Sequence, residues 1–97
     1  MSASEPGEIT VLHNPAASRF EARVGTQLAV ADYGLEDGRI VFTHTYVPTA
    51  LRGHGIAEKL VRAGLEFARA EGRRVVPQCS YVATFIQRHQ EFQGLVG

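Results

Sequence analysis

Tyr46-Val47-Pro48-Thr49-Ala50-Leu51-Arg52-Gly53-His54-Gly55-Ile56-Ala57-Glu58-Lys59-Leu60-Val61 carries the change from strand to helix in this chain. It joins a strand end, a turn bearing two glycines and the opening of an amphipathic helix. Val47 closes a strand-like run, and Pro48, with no N–H to give to a ladder, ends it. Ile56, Ala57, Leu60 and Val61 then recur at helical spacing. Between them, Arg52-Gly53-His54-Gly55 forms a turn whose backbone is little shielded by side chains. The first amides of a helix lack partners within it, and the helix dipole makes that end positive. Such a turn suits an anion such as a pyrophosphate, and Gly permits close approach.

Two better-known glycine motifs do not fit. No Gly-Lys-Ser/Thr follows, so the turn is not a P-loop, and the third glycine of a dinucleotide fingerprint would fall on Glu58. An ordinary strand-to-helix turn with a Gly start remains the bland alternative.

Downstream, Ile56, Leu60, Val61, Leu65, Phe67 and Ala68 define one apolar stripe. Glu58, Arg62 and Glu66 stand four apart on the outer face. Gly64, inside the helix, reads as a point of close packing on a sheet, and Gly72 as the stop. Arg73 to Cys79 is a strand after a crossover helix, so it should run parallel to the strand Ile40–Val47. Pro77 breaks its donor pattern. Ser80 can cap a last helix with Val82, Phe85, Ile86 and His89 on one stripe. Gln93 to Gly97 reads as a short tail.

Upstream lie short segments of strand character. Ile9–His13 is rich in β-branched residues. Asn14–Ser18 is a turn. Arg19–Val24 alternates, with Phe20, Ala22 and Val24 on one face. In Gln27–Leu35, Leu28 and Val30 oppose Ala29, Ala31 and Tyr33. Asp37-Gly38 is a hairpin signal. The expectation is a mixed α/β fold: an antiparallel meander, a β-α-β crossover and a C-terminal helix.

Ninety-seven residues make one domain, expected over 9–97 behind a flexible tail at 1–8. Lysines and arginines number 10, as do aspartates and glutamates, which argues against a nucleic-acid binder held by bulk charge. No apolar run approaches the roughly 20 residues of a membrane span. The acidic, polar start lacks an apolar signal region, so cytoplasm is the expected location. One cysteine excludes an internal disulfide framework. No His, Cys and acidic residues stand at metal-ligand spacing, so no metal is expected.

Arg52, Gly55 and Ala57 resemble the R/Q-x-x-G-x-G/A signature of the GNAT superfamily of acetyl-CoA-dependent N-acyltransferases. The resemblance extends over about residues 9 to 92. His44-Thr45-Tyr46-Val47-Pro48 and Cys79-Ser80-Tyr81-Val82 look like a small, single-domain branch of that superfamily. It implies a minimal GNAT fold and acetyl-CoA as cosubstrate, with an amine as acceptor. It also implies that the strand before the glycine turn splays from the strand after the helix. The pantetheine arm would then pair with backbone near Thr45, Tyr46 and Val47, and Pro77 supplies a local reason for the splay. The pyrophosphate would lie on Arg52, Gly53, His54, Gly55, Ile56 and Ala57. The chain departs from the pattern where two helices usually form a wall of the acceptor site, since only Asn14–Ser18 is available. A Tyr used elsewhere as general acid corresponds here to Gln87. A non-catalytic acyl-CoA-binding or sensing module is therefore the alternative. The acceptor and the oligomeric state stay open.

Among individual residues, Cys79 precedes a helix N-terminus, which favours thiolate, and the resemblance turns it toward the thioester; a small buried hydrophobe is the other reading. His44, with Ile40, Phe42 and Tyr46 on its face, is either a base near neutral pH or a half-buried structural His. Tyr46 and Tyr81 are candidate proton donors or packing aromatics. Arg52 is a candidate phosphate partner. Arg73 and Arg74 are candidates for the 3′-phosphate of CoA or simply solvated charges.

Overall fold

The computed structural model describes residues 9–97. The tail expected at 1–8 lies outside the described residues. Five strands form one sheet in sequence order: β1 (Val11–Asn14), β2 (Arg19–Val24), β3 (Gln27–Glu36), β4 (Arg39–Tyr46) and β5 (Arg74–Pro77). β1 to β4 pair antiparallel, and β5 joins β4 in parallel. Helix α1 (Ile56–Glu71) makes the crossover, and α2 (Ser80–Arg88) follows β5. The meander, crossover and last helix are those expected.

Local chemistry explains the joints. Asp37 and Gly38 both take positive φ, 46° and 78°, as a tight hairpin demands. Asn14 Oδ1 accepts from the Ala17 amide and holds a single 3-10 turn, Pro15–Ala17, between β1 and β2. Gly72 ends α1 with φ 68°, its N–H donating to the Ala68 and Arg69 carbonyls. Ser80 is the first residue of α2 rather than its cap; Cys79 holds the cap position.

The core lies on one side of the sheet. Phe20, Ala31, Tyr33, Ile40 and Phe42 meet Leu60, Val61 and Leu65 of α1, and Val82, Phe85 and Ile86 of α2 join them. A Cβ at Gly64 would stand 2.7 Å from the Phe42 ring, so this glycine sets how closely α1 lies on the sheet. No helix among the described residues packs on the other face, where Leu12 is 62% exposed.

Residues Gln93–Gly97 are not a loose tail. Gln90–Leu95 forms a 3-10 segment with Phe92 fully buried. Val96 then bridges Val75, and the Gly97 amide donates to the Val75 carbonyl at 3.1 Å.

The strands also differ from expectation in two places that matter for the site. β5 stops at Pro77 instead of reaching Cys79, and its pairing with β4 ends at Phe42↔Pro77. In β4, Asp32 pairs His44 while Tyr33 pairs Phe42, so Thr43 is an extra, bulged residue. Its hydroxyl donates to the Asp32 carbonyl at 3.4 Å. The bulge reverses the alternation beyond it. Thr45, opposite the buried Ala31, takes the core side, and His44 and Tyr46 go to the open face. His44 is thus exposed, and it does not share a face with Ile40 and Phe42 as the unbroken pattern implied.

Candidate functional site

β4 gives way to Pro48, a 3-10 turn at Thr49–Leu51, and the glycine turn. Gly53 and Gly55 sit at φ 86° and 74°. Among the described residues nothing lies within 4 Å of a Cβ built on either, so it is the left-handed backbone, and not a lack of room, that calls for glycine. Gly55 is also the N-cap of α1 and brings no side chain to its first amides. The helix start lines a cavity of about 230 Å³. Val47, Arg52, Gly53, Gly55, Ile56 and Ala57 line it together, as do Leu51, Glu58 and Tyr81. His54 is exposed and lies outside it. Arg52 spends Nε on the Val47 carbonyl at 3.0 Å, which ties the turn to the end of β4.

Beside this cavity the sheet opens. Beyond Phe42, β4 has no strand partner on its β5 side among the described residues, whereas the chain after Pro77 turns into α2. The Cys79 amide donates to the Phe42 carbonyl at 2.9 Å and closes the inner end of the gap, beside the last β4–β5 pair. Cys79 Sγ and Thr45 Oγ1 lie 3.5 Å apart. Burial pushes the Cys79 thiol up, but the Thr45 hydroxyl and the amides of Val82, Tyr81 and Thr45 outweigh it, so the thiol lies below its ordinary range.

Residues 19–95 match the family described as GCN5-related N-acetyl-transferase. The chain belongs to this family. It is 34% identical to protein NATD1 of Bos taurus over 97 residues, covering 91% of this chain and 86% of that protein. Against NATD1 of Homo sapiens the identity is 33% over 93 residues, covering 92% and 82%. Among solved structures, a GCN5-like protein of Staphylococcus aureus determined by NMR superposes with a TM-score of 0.72 at 22% identity, covering 91% of this chain and 87% of that one. That likeness shows the fold.

Within this GNAT domain the remaining candidates separate. His44 and Cys79 lie on opposite faces of β4, so they do not form one pair. Across the open face His44 stands opposite Asp32. Arg74 donates to the Val96 carbonyl at 2.9 Å, and the Arg73 charge acts on the Tyr33 phenol. Both follow the C-terminal end of α1, a helix of 16 residues and roughly 24 Å, and are remote from the glycine turn. Gln87 is exposed on α2 and lines neither cavity on that side of the domain.

Glu58 was legible in the sequence only as an outward charge. The structure sets it on the cavity wall, 3.8 Å from Arg62 and 3.9 Å from His89. Tyr81 joins it there, its phenol pushed up by burial and by the Glu58 charge. His89 is held in place by stacking on Phe85, ring centroids 3.8 Å apart, and by Nδ1 donating to the Phe85 carbonyl at 2.7 Å.

Proposed function

We propose that the chain is an acetyl-CoA-dependent N-acetyltransferase whose acceptor is an amine. The observation that carries this reading is the pair of left-handed glycines, which leaves the start of α1 uncapped by any side chain beside the β4–β5 gap. The amides of Ile56, Ala57 and Glu58 would hold the pyrophosphate. The free edge of β4 at Thr45, Tyr46 and Val47 would hold the pantetheine arm. Bound acetyl-CoA supplies an acetyl thioester open to attack by an amine.

The chain's own groups then divide the proton work. Cys79, with its lowered thiol, is suited either to protonate the departing sulfur or to accept the acetyl group as an acetyl-cysteine and pass it on. His44, exposed on the other side of β4, is the base available to an amine arriving from the open face. A sensing module that binds acetyl-CoA without turnover is the second reading. It is favoured by the single 3-10 turn at Pro15–Ala17, which stands where an acceptor wall would rise.

Release of free CoA from acetyl-CoA, followed across a panel of amines and peptides, decides between them. An amine that accelerates release supports the transferase. Tight binding of acetyl-CoA with no acceleration by any amine supports the sensor.

A further inference from the structure

A second cavity, of about 130 Å³, lies between α1 and α2. It shares Glu58 and Tyr81 with the glycine-turn cavity as a common wall. Tyr81, Thr84, Phe85 and Arg88, at helical spacing, put one face of α2 along it. Arg88 stands about two turns beyond Tyr81, roughly 10 Å along the axis, and helical side chains lean back toward the N-terminus. Burial and the Glu58 carboxylate raise the Tyr81 phenol, and the Arg88 charge acts on it in the opposite sense, so the guanidinium field reaches the shared wall. No ion pair among the described residues engages Arg88. Of the neighbouring cations, Arg62 is paired with Glu58 and Glu91, and Arg52 gives its Nε to the Val47 carbonyl on the glycine-turn side. Arg62 also offsets the Glu58 charge that an anion would otherwise meet.

Coenzyme A carries a second anion one ribose away from its pyrophosphate, the 3′-phosphate. We propose that the cavity between α1 and α2 seats this 3′-phosphate, and that Arg88 distinguishes coenzyme A from its 3′-dephospho form. The inference rests on the acetyl-CoA reading above. It replaces Arg73 and Arg74, which stand at the wrong end of α1, with a cation in the adjoining cavity.

Calorimetric titration of the full chain with coenzyme A and with 3′-dephospho-coenzyme A tests it, in wild type, Arg88→Gln and Arg88→Lys. Wild type should bind coenzyme A about tenfold more tightly than the dephospho form, as one charge-assisted contact implies. Arg88→Gln should lose most of that preference while its affinity for the dephospho form holds, and Arg88→Lys should keep part of it. Equal affinity of wild type for the two ligands overturns the proposal. So does an Arg88→Gln variant that weakens both ligands alike, or neither. Wild type that binds neither ligand removes the acetyl-CoA reading itself, because the dephospho form keeps the pyrophosphate and the pantetheine.

Discussion

Thr45 and Cys79 face each other across the gap between β4 and β5, hydroxyl to thiol at 3.5 Å. The contact exists because Thr43 bulges out of β4 and turns Thr45 to the core side. The hydroxyl is the largest influence holding the thiol down against its burial. Thr45→Val nearly preserves volume and removes it, so the Cys79 pKa should rise. The alkylation rate of Cys79 by iodoacetamide, followed against pH, should show its inflection moved upward in Thr45→Val and little moved in Thr45→Ser. Superimposable profiles for wild type and Thr45→Val would deny Thr45 this role.

Gly55 holds φ 74° with open space around it. Gly55→Val should therefore lose about 1–2 kcal/mol of stability from backbone strain alone. It should also weaken coenzyme A by about 2–4 kcal/mol if the turn's amides hold the pyrophosphate. Gly25, at φ 61° in the β2–β3 turn, is the control. Gly25→Val should show the stability loss without the affinity loss. Calorimetric affinity unchanged in Gly55→Val would move the pyrophosphate elsewhere.

Gly64→Ala pits helix propensity against packing. Alanine gains about 1 kcal/mol inside a helix. Its methyl, however, would stand 2.7 Å from the Phe42 ring, which is fully buried and has little room to yield. Overpacking of this kind costs about 1–3 kcal/mol, so the net change should be destabilising. Urea unfolding should show a lower midpoint for Gly64→Ala. Phe42→Leu in the same chain should recover part of the loss, as a double-mutant cycle would reveal.

His13 links pH to stability at the other end of the core. Its ring stacks on Phe20 with centroids 4.2 Å apart, and Nε2 meets the Tyr33 hydroxyl. Burial lowers the His13 pKa from its ordinary 6.5, against a smaller raising influence of Glu71. A histidine depressed in the folded state binds its proton later than in the unfolded state. Its contribution is present above the unfolded pKa and is lost as pH falls from about 6.5 toward the folded value. Glu21, lowered chiefly by its hydrogen bond from Asn14, acts in the same sense but at more acid pH, below about 4.5. Denaturation midpoints taken from pH 8 to pH 5 should decline below about 6.5 in wild type. The decline should be shallower in His13→Gln; equal slopes would assign it to other groups.

The features legible in the residues themselves were local. The glycine turn, α1 and its Gly72 stop, the Asp37-Gly38 hairpin and the strand-breaking Pro77 all follow from backbone preferences or a 3.6-residue period that neighbouring residues carry. Even Gly64 was legible as a contact point, since a glycine amid helix formers needs a packing reason. Features that depend on distant partners emerged only from packing. Thr43 carries no bulge signal; the bulge arises from fitting β4 to β3, and one extra residue exchanges the faces that His44 and Thr45 take. Phe92 has no regular period around it, yet it is fully buried because the 3-10 segment folds back over α1 and α2. Glu58 looked like a solvated charge and became a wall shared by two cavities, because α2 packs beside α1 and brings Tyr81 against it. Periodicity reports which face of an element is apolar, whereas only packing reports which polar residues at its margin meet across a cleft.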